Sequence, residues 1–247
     1  MQYIKDAKNV VCIIGAGMST ASGIPDFNGP KGLYSMPYKG YAPESILSKE
    51  TLRYNPKLFY DFLRDKLLNY EAQPNAGHYA LKELADMGKV KAVVSQNIDN
   101  LEFKAEIPNT YQVHGTLAKF HCVRCGLPYT KEEITNMMDS DANDGLPRCL
   151  HCGKVIRPNI VLYGESLDAD VTNEALCAID QSDLALVIGT SFNVFPVAYY
   201  LDNYEGKIVV INQGETRLDA RCDLKIEEPA EEYLPKLVAY LKSQKQQ

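Results

Sequence analysis

The chain has no excess of positive charge: 26 Lys and Arg stand against 32 Asp and Glu, a formal net charge of −6. No global field therefore draws it to phosphate backbones, and direct nucleic-acid binding is not expected. A long apolar run is also missing. No segment approaches the roughly 18 consecutive apolar residues of a membrane span, and Met1–Asp6 does not begin a basic stretch followed by an apolar one. The expectation is a cytoplasmic protein with no membrane partner. Internal repeats and low-complexity tracts are absent too. The cysteines do not read as a disulfide framework, because they number seven and four of them fall in two Cys-x-x-Cys pairs. Cys12, Cys177 and Cys222 lie in apolar or mixed surroundings, so the pattern favours a metal over disulfides.

What is present is an ordinary globular composition, 45% hydrophobic and 23% charged, over 247 residues. That length suits one substantial core with a small appended module. Four short runs rich in β-branched and aliphatic residues, Asn9–Ile14, Val90–Ser95, Leu184–Ile188 and Lys207–Ile211, predict buried parallel strands. They are followed by Gly15-Ala16-Gly17, Gln96-Asn97-Ile98-Asp99, Gly189-Thr190-Ser191 and Asn212-Gln213. In open α/β sheets ligands bind beyond the carboxyl ends of the strands, so these four segments are expected to converge on one site. Helical periodicity between the strands, over Pro56–Asn69 (Leu58, Phe59, Phe62, Leu63 and Leu67 inward) and Ala76–Met87 (Tyr79, Ala80, Leu84 and Met87 inward), predicts a doubly wound sheet. Two segments break the rhythm. His121–Lys154 carries both cysteine pairs and a short polar helix near Lys131–Met138, and Gly29–Tyr41 reads as a mobile loop over a ligand.

Gly15-Ala16-Gly17-Met18-Ser19-Thr20 follows a strand, where glycines let the backbone approach a pyrophosphate. The third glycine of the dinucleotide fingerprint is absent, Thr20 standing in its place, and a tight turn without a ligand is the competing explanation. Cys122-x2-Cys125 and Cys149-x2-Cys152 can surround one tetrahedral zinc. Four sulfur ligands close its coordination sphere, which makes the metal structural. His121 and His151 flank the pairs as substitute ligands, and a redox pair is the other alternative. His114, in Tyr111-Gln112-Val113-His114-Gly115, is either a structural imidazole or a base able to take a ribose hydroxyl proton. His78 is expected to pack or cap a helix.

Taken in order, these segments resemble the sirtuins along nearly the whole chain: Gly15–Ser19, Ser22–Phe27, Pro74–His78, Gln96–Asp99, His114-Gly115, the four cysteines, Arg157–Glu165, Gly189–Ser191 and Ile211-Asn212. The resemblance implies an α/β fold with a doubly wound, mostly parallel Rossmann-like sheet, a small zinc-binding insert and a helical and loop subdomain. The whole of 1–247 would be one catalytic core, with about 1–30, 70–120 and 156–247 in the dinucleotide-binding part. About 30–70 would form the cofactor loop and helical part, and about 121–155 the zinc module.

It also implies an NAD-dependent protein-lysine deacylase that leaves lysine, nicotinamide and O-acyl-ADP-ribose. On this resemblance His114 is the general base, and Gln96 and Asn97 position ribose and water, Asn97 counting among the catalytic residues. Ile98 and Asp99 line the nicotinamide pocket. Ala16, Thr20, Phe27 and Asn28 contact the dinucleotide, and Gly189, Thr190, Ser191 and Asn212 hold its adenosine half. An acyl-lysine peptide would lie as an added strand between Ile160–Tyr163 and Asn193–Pro196, against Val161, Tyr163, Gly164 and Val194. Members that remove acidic acyl groups resemble one another in a Tyr-x-x-Arg pair. Here Tyr60 is followed at that spacing by Leu63, with Arg64 one place later, and an apolar Leu63 favours neutral acyl groups.

Mono-ADP-ribosyl transfer, an NAD or ADP-ribose binding module and a zinc-stabilised scaffold are the other readings. Two departures from the family pattern bear on them: Asn28 stands where Arg is usual, and Glu102 where His is common. A neutral amide cannot supply a fixed charge to a diphosphate, and a charge-assisted hydrogen bond contributes roughly 1.5–3 kcal/mol. Asn28→Arg is therefore expected to raise kcat/KM for NAD about tenfold, equivalent to about 1.4 kcal/mol, at saturating neutral acyl peptide and matched zinc content. An unchanged or lower value would show that the charge is supplied elsewhere.

Overall fold

The structure, a computed structural model, describes residues 1–27, 32–140 and 144–245. Its strands are β1 (Val10–Ile14), β2 (Val90–Ser95), β3 (Thr110–Gln112), β4 (Gly115–Cys122), β5 (Pro128–Thr130), β6 (Ile156–Ile160), β7 (Leu184–Ile188), β8 (Lys207–Ile211) and β9 (Leu224–Ile226). Among them run the helices α1 (Gln2–Asp6), α2 (Pro43–Ile46), α3 (Lys49–Tyr54), α4 (Pro56–Leu63), α5 (Ala76–Asp86), α6 (Leu101–Lys104), α7 (Lys131–Asp139), α8 (Ala169–Asp180) and α9 (Ala230–Lys245).

The four runs predicted as strands are β1, β2, β7 and β8. All residues of β1 and β7 are buried. In β1 the side chains alternate between two cores: Val10, Cys12 and Ile14 pack with α5 and α9, whereas Val11 and Ile13 pack with Ala175 and Ile179 of α8. A strand covered on both faces needs apolar residues at every position, which is why these runs show no polar alternation. The sheet order is β3-β2-β1-β7-β8-β9, every pair parallel. The chain thus winds one way from β1 and the other way from β7. The carboxyl ends of these two strands form the switch point at which such sheets bind ligands.

Sequence periodicity overstates the length of one helix and misplaces a side chain on another. α4 ends at Leu63 and continues as a wider π turn, Arg64–Leu68. In α5 the buried face carries His78, Ala80, Leu81 and Leu84, while Tyr79 points outward and is 55% exposed. His78 both packs and caps: fully buried, its Nδ1 accepts the Asn75 N–H at 3.3 Å while the Asn75 side chain accepts from Gly77 N at 2.9 Å. In α7 the polar helix is held by a reciprocal box, Thr130 Oγ1 accepting from Glu133 N and Glu133 Oε2 from Thr130 N.

The second sheet, β5-β4-β6, is antiparallel. With α2, α3, α4 and α7 it forms a separate core in which Phe59, Phe62 and Leu63 meet Phe120, Ile156, Cys122 and Cys149. The helical part and the cysteine module therefore share one interior. A buried hydroxyl ties them further, Tyr60 donating to the Ile156 carbonyl. Among the described residues no helix is long and apolar enough to cross a membrane.

The four thiols lie within 4.8 Å of one another, with Cys122–Cys152 at 3.4 Å, Cys125–Cys149 at 3.5 Å and Cys125–Cys152 at 3.7 Å. Tetrahedral zinc with bonds of about 2.3 Å separates its sulfurs by roughly 3.8 Å, so the donor set fits that ion closely. Neither neighbouring histidine belongs to the cluster, and His121 Nδ1 instead lies 2.6 Å from Asn159 Oδ1. One zinc per chain is expected by elemental analysis of protein purified without chelator. Cys122→Ala is expected to lose it and to expose residues 115–160 to protease, since structural zinc supplies on the order of 10 kcal/mol to small modules. Cys177→Ser, at an exposed thiol, is expected to keep the metal.

Candidate active site

The carboxyl ends of β1, β2, β7 and β8 open into a cleft of about 640 Å³ between the parallel sheet and the smaller lobe. Its base is built by an approach of two backbones. Gly15 N donates to Ile188 O at 3.0 Å and Gly17 N to Gly189 O at 2.8 Å. A Cβ at Gly17 would sit 2.8 Å from Gly189 Cα, and one at Gly15 would sit 2.6 Å from Thr190 Cβ. The glycines of the first loop are thus required by the fold itself, before any pyrophosphate is considered.

His114 leaves the end of β3 and enters β4 through Gly115, whose φ of +76° only glycine adopts without strain and whose Cβ would lie 2.1 Å from Asn159 O. His114 is fixed at two points: its backbone carbonyl accepts Val161 N at 2.9 Å, and its ring Nδ1 lies 2.9 Å from Gln96 O. A carbonyl can only accept, so Nδ1 carries the hydrogen and Nε2 keeps its lone pair. Burial lowers the imidazole pKa from its ordinary value, partly offset by the Gln96 contact. A neutral ring with Nε2 on the cleft wall has the lone pair that a general base needs.

Every described residue assigned to the dinucleotide or to the peptide lines this cleft, except Asp99 and, at the end of one peptide-flanking segment, Asn193. Ala16, Thr20, Phe27, Gln96, Asn97, Ile98, Gly189, Thr190, Ser191 and Asn212 stand along it, as do Val161, Tyr163, Gly164 and Val194. Asp99 does not. It turns inward, accepting the Ser19 hydroxyl at 2.7 Å and Leu101 N at 2.9 Å. Asn28 lies outside the described residues, so the loop position singled out in the sequence has no structural account.

Other wall residues were not singled out in the sequence, although Tyr34 lies within the expected ligand loop Gly29–Tyr41. Tyr34 packs against Phe27, the rings tilted by 57° with centroids 5.2 Å apart, and meets the Tyr163 hydroxyl at 3.2 Å. Glu228–Glu231, at the start of α9, closes one rim. The α4 residues read for acyl preference stand away from the cleft. Tyr60 and Leu63 are core residues and Arg64 binds Asp61, so none of the three reaches the cleft. The lining itself is informative instead: among its described residues there is no Lys or Arg, whereas Asp26, Glu165, Glu215, Glu228 and Glu231 are present.

The sequence model of the Sir2 family matches residues 15–196. The chain belongs to the Sir2 family. An NAD-dependent protein deacetylase of Sulfurisphaera tokodaii is 40% identical over 238 residues, covering 95% of this chain and 91% of that protein. A solved Sir2 with p53 peptide and NAD+ superposes with a TM-score of 0.86 at 32% identity, covering 97% of this chain and 95% of the other. A Sir2 bound to a propionylated peptide gives 0.85 at 31% identity, with 97% and 95% covered.

The groups on the cleft also suit NAD. Neutral amides and hydroxyls from Gln96, Asn97, Thr190, Ser191 and Asn212 offer the donors and acceptors that ribose and amide groups need. Among the described residues the wall offers a diphosphate such dipoles and no cation. Because burial outweighs the Gln96 contact, the His114 imidazole is expected to titrate with a midpoint below 6.5 in an NMR pH series. A midpoint well above 7 would mean that the ring is mostly charged at neutrality and does not hold a free lone pair there.

Proposed function

We infer that the chain is an NAD-dependent protein-lysine deacylase acting on neutral acyl groups. The observation that carries this reading is His114, neutral, held by Gln96 through Nδ1 and offering Nε2 to a cleft whose relatives bind NAD and acylated peptides. NAD supplies the ribose carbon from which nicotinamide leaves and to which the acyl oxygen adds. The residues of this chain do the rest. Nε2 of His114 takes a proton from a ribose hydroxyl as that oxygen attacks the acyl carbon. Gln96 and Asn97 orient the ribose and the water, and Ile98 covers the nicotinamide face. Ala16, Thr20 and Phe27 hold the dinucleotide from the first loop, while Gly189, Thr190, Ser191 and Asn212 hold the adenosine. Asp99 acts from behind, fixing Ser19.

The peptide is taken between Ile160–Tyr163 and Asn193–Pro196, backbone to backbone, with Val161, Tyr163, Gly164 and Val194 in contact. An acidic acyl group would enter a wall without a described cation and with several carboxylates, a placement that costs its desolvation without a partner. Acetyl and propionyl groups meet no such penalty. A zinc on four of the seven cysteines and free thiols at the other three, Cys12, Cys177 and Cys222, fit a reducing compartment, and we place the protein in the cytoplasm, without membrane or nucleic-acid partners.

A mass-spectrometric assay of NAD with acetyl-, propionyl- and succinyl-lysine peptides is expected to show nicotinamide release that depends on the neutral acyl peptides, with succinyl at least about tenfold slower. His114→Ala is expected to remain folded and to lose about 10²-fold or more of that turnover. Label transfer from NAD to protein would point to ADP-ribosyl transfer instead, and NAD binding without turnover to a binding module.

A further inference from the structure

Glu102 has no exposed surface and takes no part in the cleft wall, yet it touches the residues that do. It projects from α6 behind the Gln96–Ile98 segment. Its Oε1 accepts the Ser95 hydroxyl at 2.9 Å, and the same hydroxyl accepts the backbone N–H of Asn97 at 3.1 Å. Asn97 Nδ2 donates to Gly15 O at 3.1 Å and to Ser19 Oγ at 3.3 Å, and lies 3.5 Å from Glu102 Oε1. The donors of Asn97 are thus all engaged inward. Its amide oxygen, which no described residue supplies with a donor, is what Asn97 offers to the cleft.

The other carboxylate oxygen, Glu102 Oε2, is buried with no hydrogen-bond partner among the described residues. An ionised carboxylate with a bare oxygen away from water is far less tolerable than a carboxylic acid in the same place. The nearest like charge aggravates this: Asp99 stands at the other end of the chain Glu102–Ser95–Asn97–Ser19–Asp99. β2 faces Glu102 with the Ser95 hydroxyl, and the first loop is linked to it only through Ser19 and Asn97. On its own helix Lys104 turns to the surface, donating to Ala72 O at 2.8 Å. On α5 the buried imidazole of His78 is held neutral, burial lowering it to about 4. No cation therefore compensates Glu102 from these elements.

We propose that Glu102 is a positioning residue for turnover: as a neutral acid it fixes Ser95 and Asn97 so that the Asn97 amide oxygen faces the cleft. Loss of its proton draws Asn97 Nδ2 across the long 3.5 Å contact and away from Gly15 and Ser19, lowering the rate. Burial, with the Asp99 charge added, pushes the Glu102 carboxyl up to about 8, so the neutral form prevails at pH 7 and is lost above it. The proposal rests on the deacylase reading for its kinetic form, but the Asn97 geometry can be read without turnover.

The test uses the zinc-loaded protein and its Glu102→Gln and Glu102→Ala variants. With NAD and an acetyl-lysine peptide, the parent is expected to lose about tenfold in kcat between pH 7 and pH 9.5, while Glu102→Gln, which cannot ionise, stays flat over that range. Glu102→Ala is expected to lower kcat about tenfold at pH 7 with the peptide KM within about twofold, and Glu102→Gln to recover most of that loss. In parallel, the Asn97 side-chain NH2 resonances are expected to shift with pH, with a midpoint near 8, in the parent and not in Glu102→Gln.

An alkaline limb retained unchanged in Glu102→Gln, or Asn97 resonances indifferent to pH in the parent, overturns the proposal. If no peptide is turned over at all, the deacylase reading fails while the resonances still decide the positioning role. Should Glu102→Ala not fold, the comparison of parent with Glu102→Gln remains sufficient.

Discussion

The cleft depends on two backbones, those of Gly17 and Gly189, meeting at a distance that no side chain permits. The contact lies between the ends of β1 and β7, where the winding of the sheet changes direction, and it holds the first loop flat over the strand ends. With the loop in place, Ser19 is carried inward to Asp99 and Asn97, and Ala16 and Thr20 are left on the wall. A single methyl group at this crossing would have to displace the backbone, and with it everything that the loop carries. The glycine pair is thus first an element of packing, and its openness to a ligand follows from that packing.

Charge at the site is managed with few ions. The wall presents amides, hydroxyls, one neutral imidazole and several carboxylates, and behind it Asp99 and Glu102 bracket a chain of hydroxyl and amide groups. In a region of low effective dielectric, fixed dipoles of this kind need no reorganisation when charge develops on the substrate. The same arrangement leaves the site sensitive to any proton gained or lost within it. His114 and Glu102 are tuned in opposite senses, burial disfavouring the charged form of each.

Much of this was legible in the sequence because the strongest signals are local. A strand buried on both faces must read as an unbroken apolar run, so β1, β2, β7 and β8 stood out, and the segments after them named most of the wall. The edge strands β3 and β9 did not, since Thr110–Gln112 and Leu224–Ile226 are three residues long and only half buried. Side-chain direction also escaped: Asp99 sits within the motif but turns away from the cleft, and Leu63 has the spacing of a pocket residue but the surroundings of a core one. Tyr34 and Glu228–Glu231 reach the wall through tertiary packing that no periodicity encodes. Glu102 was visible only as a departure from a pattern; its meaning lies in the hydroxyl that it accepts.

Ile160, Leu162 and Leu47 belong at once to the cleft wall and to the core that contains Cys122 and Cys149. The wall is held from behind by the same interior, and Tyr163 is stitched to Leu47 and Lys49 through backbone hydrogen bonds of 3.0 and 3.2 Å. The cysteine cluster is accordingly a remote buttress of this wall of the cleft. A chelator or a thiol oxidant acting there would subtract working molecules from the population, and in steady-state kinetics it would resemble a noncompetitive inhibitor that never enters the cleft.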